Sequence, residues 1–193
     1  ELLDNGEIVE SIAVLPFSSL SELDRVGFFA EGLSDSILDE LAQISDMKVA
    51  SRTEAFRLSG EGEELKKIAK YLNVDYVLEG SVQEQNGQLR ITAQLIRAND
   101  GFHVMSKTYE RPFSESFSAQ RQISKNVSQK SYDKIWFDLR KQYPERFEQF
   151  SGVDPEAVSL YLQSMDSYSA FALGEDRDEV LMMQLMEKAV EID

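Results

Sequence analysis

The sequence contains no cysteine and a single histidine in 193 residues, so several classes of chemistry are excluded. Without cysteine the chain can form no disulfide, hold no metal through thiolates and use no cysteine nucleophile. A zinc site or a catalytic triad would have to depend on His103 alone. We therefore interpret His103 as an ordinary strand histidine, and we predict that the chain binds no metal and no cofactor.

Long apolar runs are also missing. No run of about 18 apolar residues is present, so we predict no transmembrane helix in this stretch, and no signal peptide is visible. The chain begins at Glu1 rather than at a methionine, from which we expect that upstream sequence has been removed. Any membrane contact is therefore expected through a span upstream of residue 1. The net charge of −15 argues against direct contact with nucleic acid or anionic lipid.

The most informative stretch is 75–109, whose pattern predicts a meander of three antiparallel strands. Apolar and polar residues alternate strictly along 88–97, a period of two that is typical of a half-buried strand. Asn86-Gly87 accepts the positive φ values of a type I′ hairpin turn, and 99–101 offers a second turn. A meander with one apolar face requires helices to cover that face.

The remaining pattern predicts a helix after each of two earlier strands and a last helix behind the meander. The strands are expected at 12–17 and 47–56, and the helices at 27–43, 63–72 and 115–140. The predicted fold class is α/β, a two-layer mixed sheet in the order β-α-β-α-β-β-β-α, followed by an all-α helical hairpin. Because crossovers are right-handed, we expect both crossover helices on the same side of the sheet.

The chain is expected to divide into an α/β domain and a helical hairpin. The predicted segments are a linker at 1–10, the α/β domain at 11–142, a second linker at 143–152 and the hairpin at 153–193. Asp154-Pro155 is a typical helix start, with an N-cap followed by proline at the first helical position. Such a hairpin buries its apolar face only against further repeats, so more repeats are expected to follow it.

Glu79 is the carboxylate of greatest interest, since a charge within a central strand is costly unless it is paired. Arg52 and Arg90 are its natural partners, and we interpret these three residues as candidates for a structural ion pair. A ligand-binding pair is the alternative. General acid–base catalysis is a third hypothesis, in which Glu79 acts with Arg52 or His103.

Five blocks of the sequence resemble a known family. They are SIAVLPF (11–17), FFAEGLSDSILDELAQI (28–44), KVASRTEAF (48–56), IAKYLNVDYVLEGSV (68–82) and LRITAQLIRANDGFHV (89–104). In order and spacing they resemble the TolB amino-terminal-like domain, which is related to FlgO-like and CsgG-like proteins. Residues 157–193 look like the first unit of a tetratricopeptide repeat array.

The resemblance implies a part of a bacterial transmembrane regulator. It implies a non-catalytic interaction or sensor module that binds a protein, peptide or small-molecule signal and relays it to an upstream effector, such as a winged-helix transcription regulator. A periplasmic location is expected, with the cytoplasm as the alternative. A second hypothesis is a structural envelope module that self-associates through sheet edges, for example as a homodimer. An enzyme is the third.

Overall fold

The computed structural model describes residues 10–44, 47–60 and 64–142. The strands are β1 (Glu10–Val14), β2 (Ser18–Ser19), β3 (Met47–Val49), β4 (Tyr76–Gln85), β5 (Gln88–Arg97) and β6 (His103–Pro112). The helices are α1 (Asp24–Ala42), α2 (Arg52–Gly60), α3 (Leu65–Leu72) and α4 (Ser116–Gln142), with a 3-10 turn (Phe113–Glu115) before α4.

The predicted α/β class and element order are confirmed, with β2 and α2 as additional elements. The sheet-containing compact unit extends through Ile135. Glu10, expected in the first linker, belongs to β1. The second linker and the helical hairpin of 153–193 lie outside the described residues.

The strands form one mixed sheet in the order β3-β1-β4-β5-β6, with β2 paired to β4. β1 runs parallel to β3 and β4, whereas β4, β5 and β6 form the predicted antiparallel meander. The hairpin turn is as predicted, because Asn86 and Gly87 both have positive φ values, 53° and 77°. Gly101, in the second predicted turn, also has a positive φ of 81°.

One face of the meander carries the hydrophobic core. Alternate side chains of β5 are completely buried on this face, as the period of two predicts: Leu89, Ile91, Ala93 and Leu95. Helix α4 lies over it, because Tyr109 of β6 donates a 2.6 Å hydrogen bond to Asn126 of α4. Helix α1 lies beside α4, and Ser128 of α4 donates a hydrogen bond to the carbonyl oxygen of Ile37 in α1.

Helices α2 and α3 pack on the opposite face, over β1 and β4. Ala55 and Leu58 of α2 and Ile68 of α3 share one apolar cluster with Ala13 and Val77 of these strands. The expectation that the crossover helices share one side is therefore wrong. The chain moves from β1 outward to β3 and then back past β1 to β4, so two right-handed crossovers place their helices on opposite faces. The two-layer arrangement holds at the meander, and a third layer is present over β1 and β4.

The segment after β3 differs from the prediction. A strand was expected over 47–56, but β3 ends at Val49 and α2 begins at Arg52. The three-residue spacing of Ala55 and Leu58, both buried, is helical and places them against the sheet. Asn73, in contrast, ends α3 in the left-handed conformation as predicted, with a φ of 51°.

Candidate functional site

The face of the meander opposite the core is polar, and it contains a groove of about 310 Å³ beside the last turn of α2. On β5 this face presents Thr92 and Gln94, which are half-buried, between completely buried neighbours. The groove is lined mainly by polar residues from four elements and the β1–β2 connection: Leu15, Pro16, Ser18, Ser59, Glu79, Gly80, Ser81, Thr92 and Gln94.

The β1–β2 connection runs close along the edge of β4 and forms one wall of the groove. Phe17 lies directly against Gly80, where a Cβ atom would overlap both the Phe17 ring and the Thr92 carbonyl oxygen. The Phe17 amide is held on the core side by a 2.8 Å hydrogen bond to the Ser34 hydroxyl. Glycine is thus required at position 80 by close packing.

After this connection the chain pairs with β4 again as β2. Ser18 pairs with Ser81 of β4 in parallel register, and its hydroxyl donates a 3.2 Å hydrogen bond to the Gly80 carbonyl oxygen. Because of this pairing, Ser18 lies at the rim of the groove rather than in a free loop.

Glu79 supplies the single charge of the groove lining. It is half-buried and lies opposite Gln94 in the β4–β5 register. Within the part of the chain that the structure describes, its carboxylate forms no ion pair and no hydrogen bond. The site is therefore a carboxylate among hydroxyl and amide groups, partly removed from water and without a countercharge.

Arg52, the first predicted partner of Glu79, forms a different network at the start of α2. Its guanidinium binds the carboxylates of Asp35 and Glu31 in α1, the second at 3.0 Å. It also lies over the ring of Phe56, 4.4 Å from the centroid. The hydrogen bond that Arg52 donates to Asp35 is the main cause that raises the pKa of Arg52, so this group stays cationic.

The structure does not bring Arg52 and Glu79 together, because Arg52 lies at the start of α2 and Glu79 lies near its end. The groove meets α2 at Ser59, and a rise of about 1.5 Å per residue places Arg52 roughly 10 Å further along the helix. Arg90, the second predicted partner, lies opposite Gln83 in the strand register. It faces Glu110 at 3.9 Å, where both side chains are exposed.

His103 is also separate from Glu79. It is exposed at the first position of β6 and pairs with Ile96 next to a bulge. β6 is two strands away from β4, which is about 10 Å across a sheet. Glu79, Arg52 and His103, the three residues of the catalytic hypothesis, therefore lie in three separate parts of the fold.

Two further observations concern metals and membranes. Among residues 10–44, 47–60 and 64–142, no group of three or more His, Asp or Glu side chains could hold a metal ion. None of the helices in those ranges is long and apolar enough to span a lipid bilayer.

Sequence reasoning found part of the groove and missed the rest. The alternation of β5 identifies Thr92 and Gln94 as members of the polar face, and a glycine within a strand pattern signals close approach at Gly80. Ser18 and Ser59 carry no such signal. Ser18 reaches the groove because β2 pairs with β4, and Ser59 lies near the end of a helix that the sequence pattern does not predict.

Comparison with known proteins finds a similar protein sequence and several similar solved structures. A Rhizobium meliloti (strain 1021) protein named "Putative adenylate cyclase 3" is 32% identical over 161 residues, which cover 83% of this chain and 27% of that protein. TolB from Acinetobacter baumannii is similar in structure over 68% of this chain and 28% of that chain, with 16% identity and a TM-score of 0.46. The PelC dodecamer from Paraburkholderia phytofirmans is similar over 62% of this chain and 88% of that chain, with 19% identity and a TM-score of 0.44.

A family match identifies the chain more directly. Residues 8–130 match the family described as HilA/YgeH-like transcriptional regulator, second domain. The expected relation to transcription regulators is thereby confirmed at the level of the family, and the tetratricopeptide prediction falls on residues outside the described ones. Since the match covers well over half of the sequence, the chain belongs to the family of HilA/YgeH-like transcriptional regulator second domains.

Proposed function

We propose that the chain is a non-catalytic interaction or sensor module of a bacterial regulatory protein, which binds a signal and relays it to an upstream effector domain. The observation that carries the proposal is the groove around Glu79. A half-buried carboxylate without a partner costs free energy in the folded protein. A bound ligand can supply the partner that the carboxylate lacks. Concave sites with a few convergent polar groups are typical of ligand binding.

The relatives support a domain that receives a signal rather than one that carries out the effector's activity. The family description places such domains second in transcriptional regulators. The R. meliloti protein, in contrast, is named as an adenylate cyclase, and the match covers 27% of its length. A domain that occurs with two different outputs is expected to supply neither of them. For this chain, a winged-helix transcription regulator is the effector that we propose.

The proposal includes a periplasmic location, as part of an inner-membrane protein. The absence of cysteine from the chain makes this testable. Phe117 is 86% exposed, and we expect a Phe117→Cys variant of the full regulator to react with a membrane-impermeant maleimide in cells with a permeabilised outer membrane. Labelling that requires lysis of the inner membrane would contradict the periplasmic location and favour the cytoplasm.

The sensor role is tested by filling the groove in the full regulator. Ser81→Trp places an indole in the groove, and Gln83→Trp is the matched control on an exposed position of the same strand face. The effector's output, read from a target promoter over a range of growth conditions, should lose its response in Ser81→Trp and keep it in Gln83→Trp, at equal protein abundance. A Ser81→Trp regulator that responds like the wild type contradicts the proposal.

One observation favours a second candidate, the self-associating assembly module. In the described sheet β6 is a ten-residue edge strand whose partner is β5, and such edges can pair with a second copy or with a peptide strand. Sedimentation of the full chain over a range of concentrations distinguishes the two. The sensor proposal expects no dimer tighter than about 1 μM, whereas an assembly module should show one.

A further inference from the structure

We infer that the groove around Glu79 binds the protonated amine of an organic cation. The inference rests on the proposed function, because it names the class of ligand that the groove receives. Such an ammonium group has two sources, a free small amine or a lysine side chain of a peptide, and the chemistry at Glu79 is the same for both.

Glu79 gives the groove a negative charge. Glu79 is the one ionisable side chain of its lining, which otherwise consists of hydroxyl, amide and apolar groups. The arginines expected near it are engaged elsewhere, Arg52 with two carboxylates of α1 and Arg90 with Glu110. A partly desolvated carboxylate favours an opposite charge and disfavours a like one, so the groove selects cations over anions.

The polar groups around Glu79 match the needs of an ammonium group, which donates three hydrogen bonds and accepts none. Gln94, whose side chain carries an amide oxygen, lies directly opposite Glu79 in the β4–β5 register and lines the same groove. The Ser18 hydroxyl already donates its proton to the Gly80 carbonyl oxygen, which leaves lone pairs of that hydroxyl to accept. An ammonium nitrogen can thus find a carboxylate, an amide oxygen and hydroxyl oxygens in one place.

The size and shape of the groove limit the remainder of the ligand. Its volume of about 310 Å³ lies at the lower end of the range for ligand sites, roughly 300–1,000 Å³. Leu15 and Pro16 supply an apolar part of the lining, which suits a short chain of methylene groups. A butyl-length amine fits this description, and a nucleotide does not.

The test is an amide NMR titration of the full chain with n-butylammonium chloride, using n-butanol and sodium butyrate at equal ionic strength as controls. We expect saturable shifts at the amides of Ser81, Thr92 and Gln94 with the ammonium probe and none with the alcohol or the carboxylate. Glu79→Gln should weaken binding at least tenfold. Glu110→Gln removes a carboxylate from the same face, outside the groove, and should leave the affinity unchanged.

A further probe, N-acetyl-lysine amide, separates the two sources of the ammonium group. Tighter binding of this probe than of n-butylammonium indicates a peptide partner, and the reverse indicates a free amine. Equal binding of n-butanol, or unchanged affinity in Glu79→Gln, overturns the inference. If no probe binds while Ser81→Trp still abolishes the regulator's response, the inference fails and the sensor role stands; if the response also persists, both fail.

Discussion

The two faces of the β4–β5–β6 meander are built from the same residues in alternation, yet they are used differently. On the core face Ile91 and Leu95 are completely buried beneath helices. On the other face, Thr92 and Gln94 are half-buried and line a groove. Because neighbouring side chains of a strand point in opposite directions, one face can hold the fold together while the other binds, and a change on one face need not disturb the other.

The contrast with the β1–β4 half of the sheet explains why the groove lies where it does. There, α2 and α3 cover the face that is open at the meander. The groove occurs at the margin of this third layer, where Ser59 of α2 meets Glu79 and Ser81 of β4. Its walls are therefore rigid elements, although its opening is toward solvent.

Outside the hydrophobic core, the largest effect is expected at Gly80, where the two faces are coupled. Gly80→Ala should lower the free energy of unfolding by about 3 kcal/mol, because its Cβ has no room beside the Phe17 ring and the Thr92 carbonyl oxygen. Gly27→Ala, with open space around the added Cβ in α1, is the control and should be neutral or stabilising by up to about 1 kcal/mol. Urea denaturation measures both. Equal small effects would contradict the close packing of Phe17 and Thr92 around Gly80.

A smaller loss is expected when a hydrogen bond beneath α4 is removed. Tyr109→Phe deletes the donor to the Asn126 side chain, and both residues are buried. The unpaired amide oxygen should cost about 1–2 kcal/mol of unfolding free energy. Tyr71→Phe removes a hydroxyl from a ring that is 64% exposed and should change stability by less than about 0.5 kcal/mol. A Tyr109→Phe protein as stable as Tyr71→Phe would contradict the buried contact.

A pH-dependent effect is expected at the Arg25–Glu84 pair, which joins the start of α1 to β4 at 2.7 Å. The hydrogen bond from Arg25 is the main cause that lowers the pKa of Glu84 below its ordinary 4.5. Since the folded-state pKa is the lower one, the contribution to stability is present above the ordinary pKa and is lost as the pH falls through the folded-state value.

Arg25→Gln should therefore flatten the decline of stability with acid below about pH 4.5, compared with the wild type. Arg121→Gln removes the same charge from an exposed position of α4 and should leave the slope unchanged. Urea midpoints measured between neutral pH and pH 3 provide the comparison. Identical slopes in wild type and Arg25→Gln would show that Glu84 is not stabilised by Arg25.

The meander could be predicted from sequence because its signals are local. The alternation of 88–97 and the Asn86-Gly87 turn fix the strands, their register and the face that is buried. Asn73 ends α3 by its own conformational preference. The helices' distribution over two faces could not be found this way, because it depends on the strand order β3-β1-β4, which no local pattern encodes.

The site was less accessible to prediction, since it depends on tertiary contacts. The sequence shows that Glu79 is unusual, but the partner of Arg52 is chosen by α1, whose Asp35 and Glu31 lie nearer than any strand carboxylate. The prediction of a strand over 47–56 missed helix α2, whose last turn carries Ser59. The contact between Phe17 and Gly80 depends on the position of β2, whose two residues are too few to show a period.

The measurement that tests the division between the faces most directly is urea denaturation of Glu79→Gln beside Leu95→Ala. Leu95→Ala should lose about 2–5 kcal/mol, as is usual for a large-to-small change in a core. Glu79→Gln keeps the side-chain size, breaks no ion pair and removes a partly buried charge, so its free energy of unfolding should equal or exceed that of the wild type. A loss of about 3 kcal/mol or more, the size expected when a buried ion pair is broken, would instead show that Glu79 is structural and would contradict its role as a ligand-binding group.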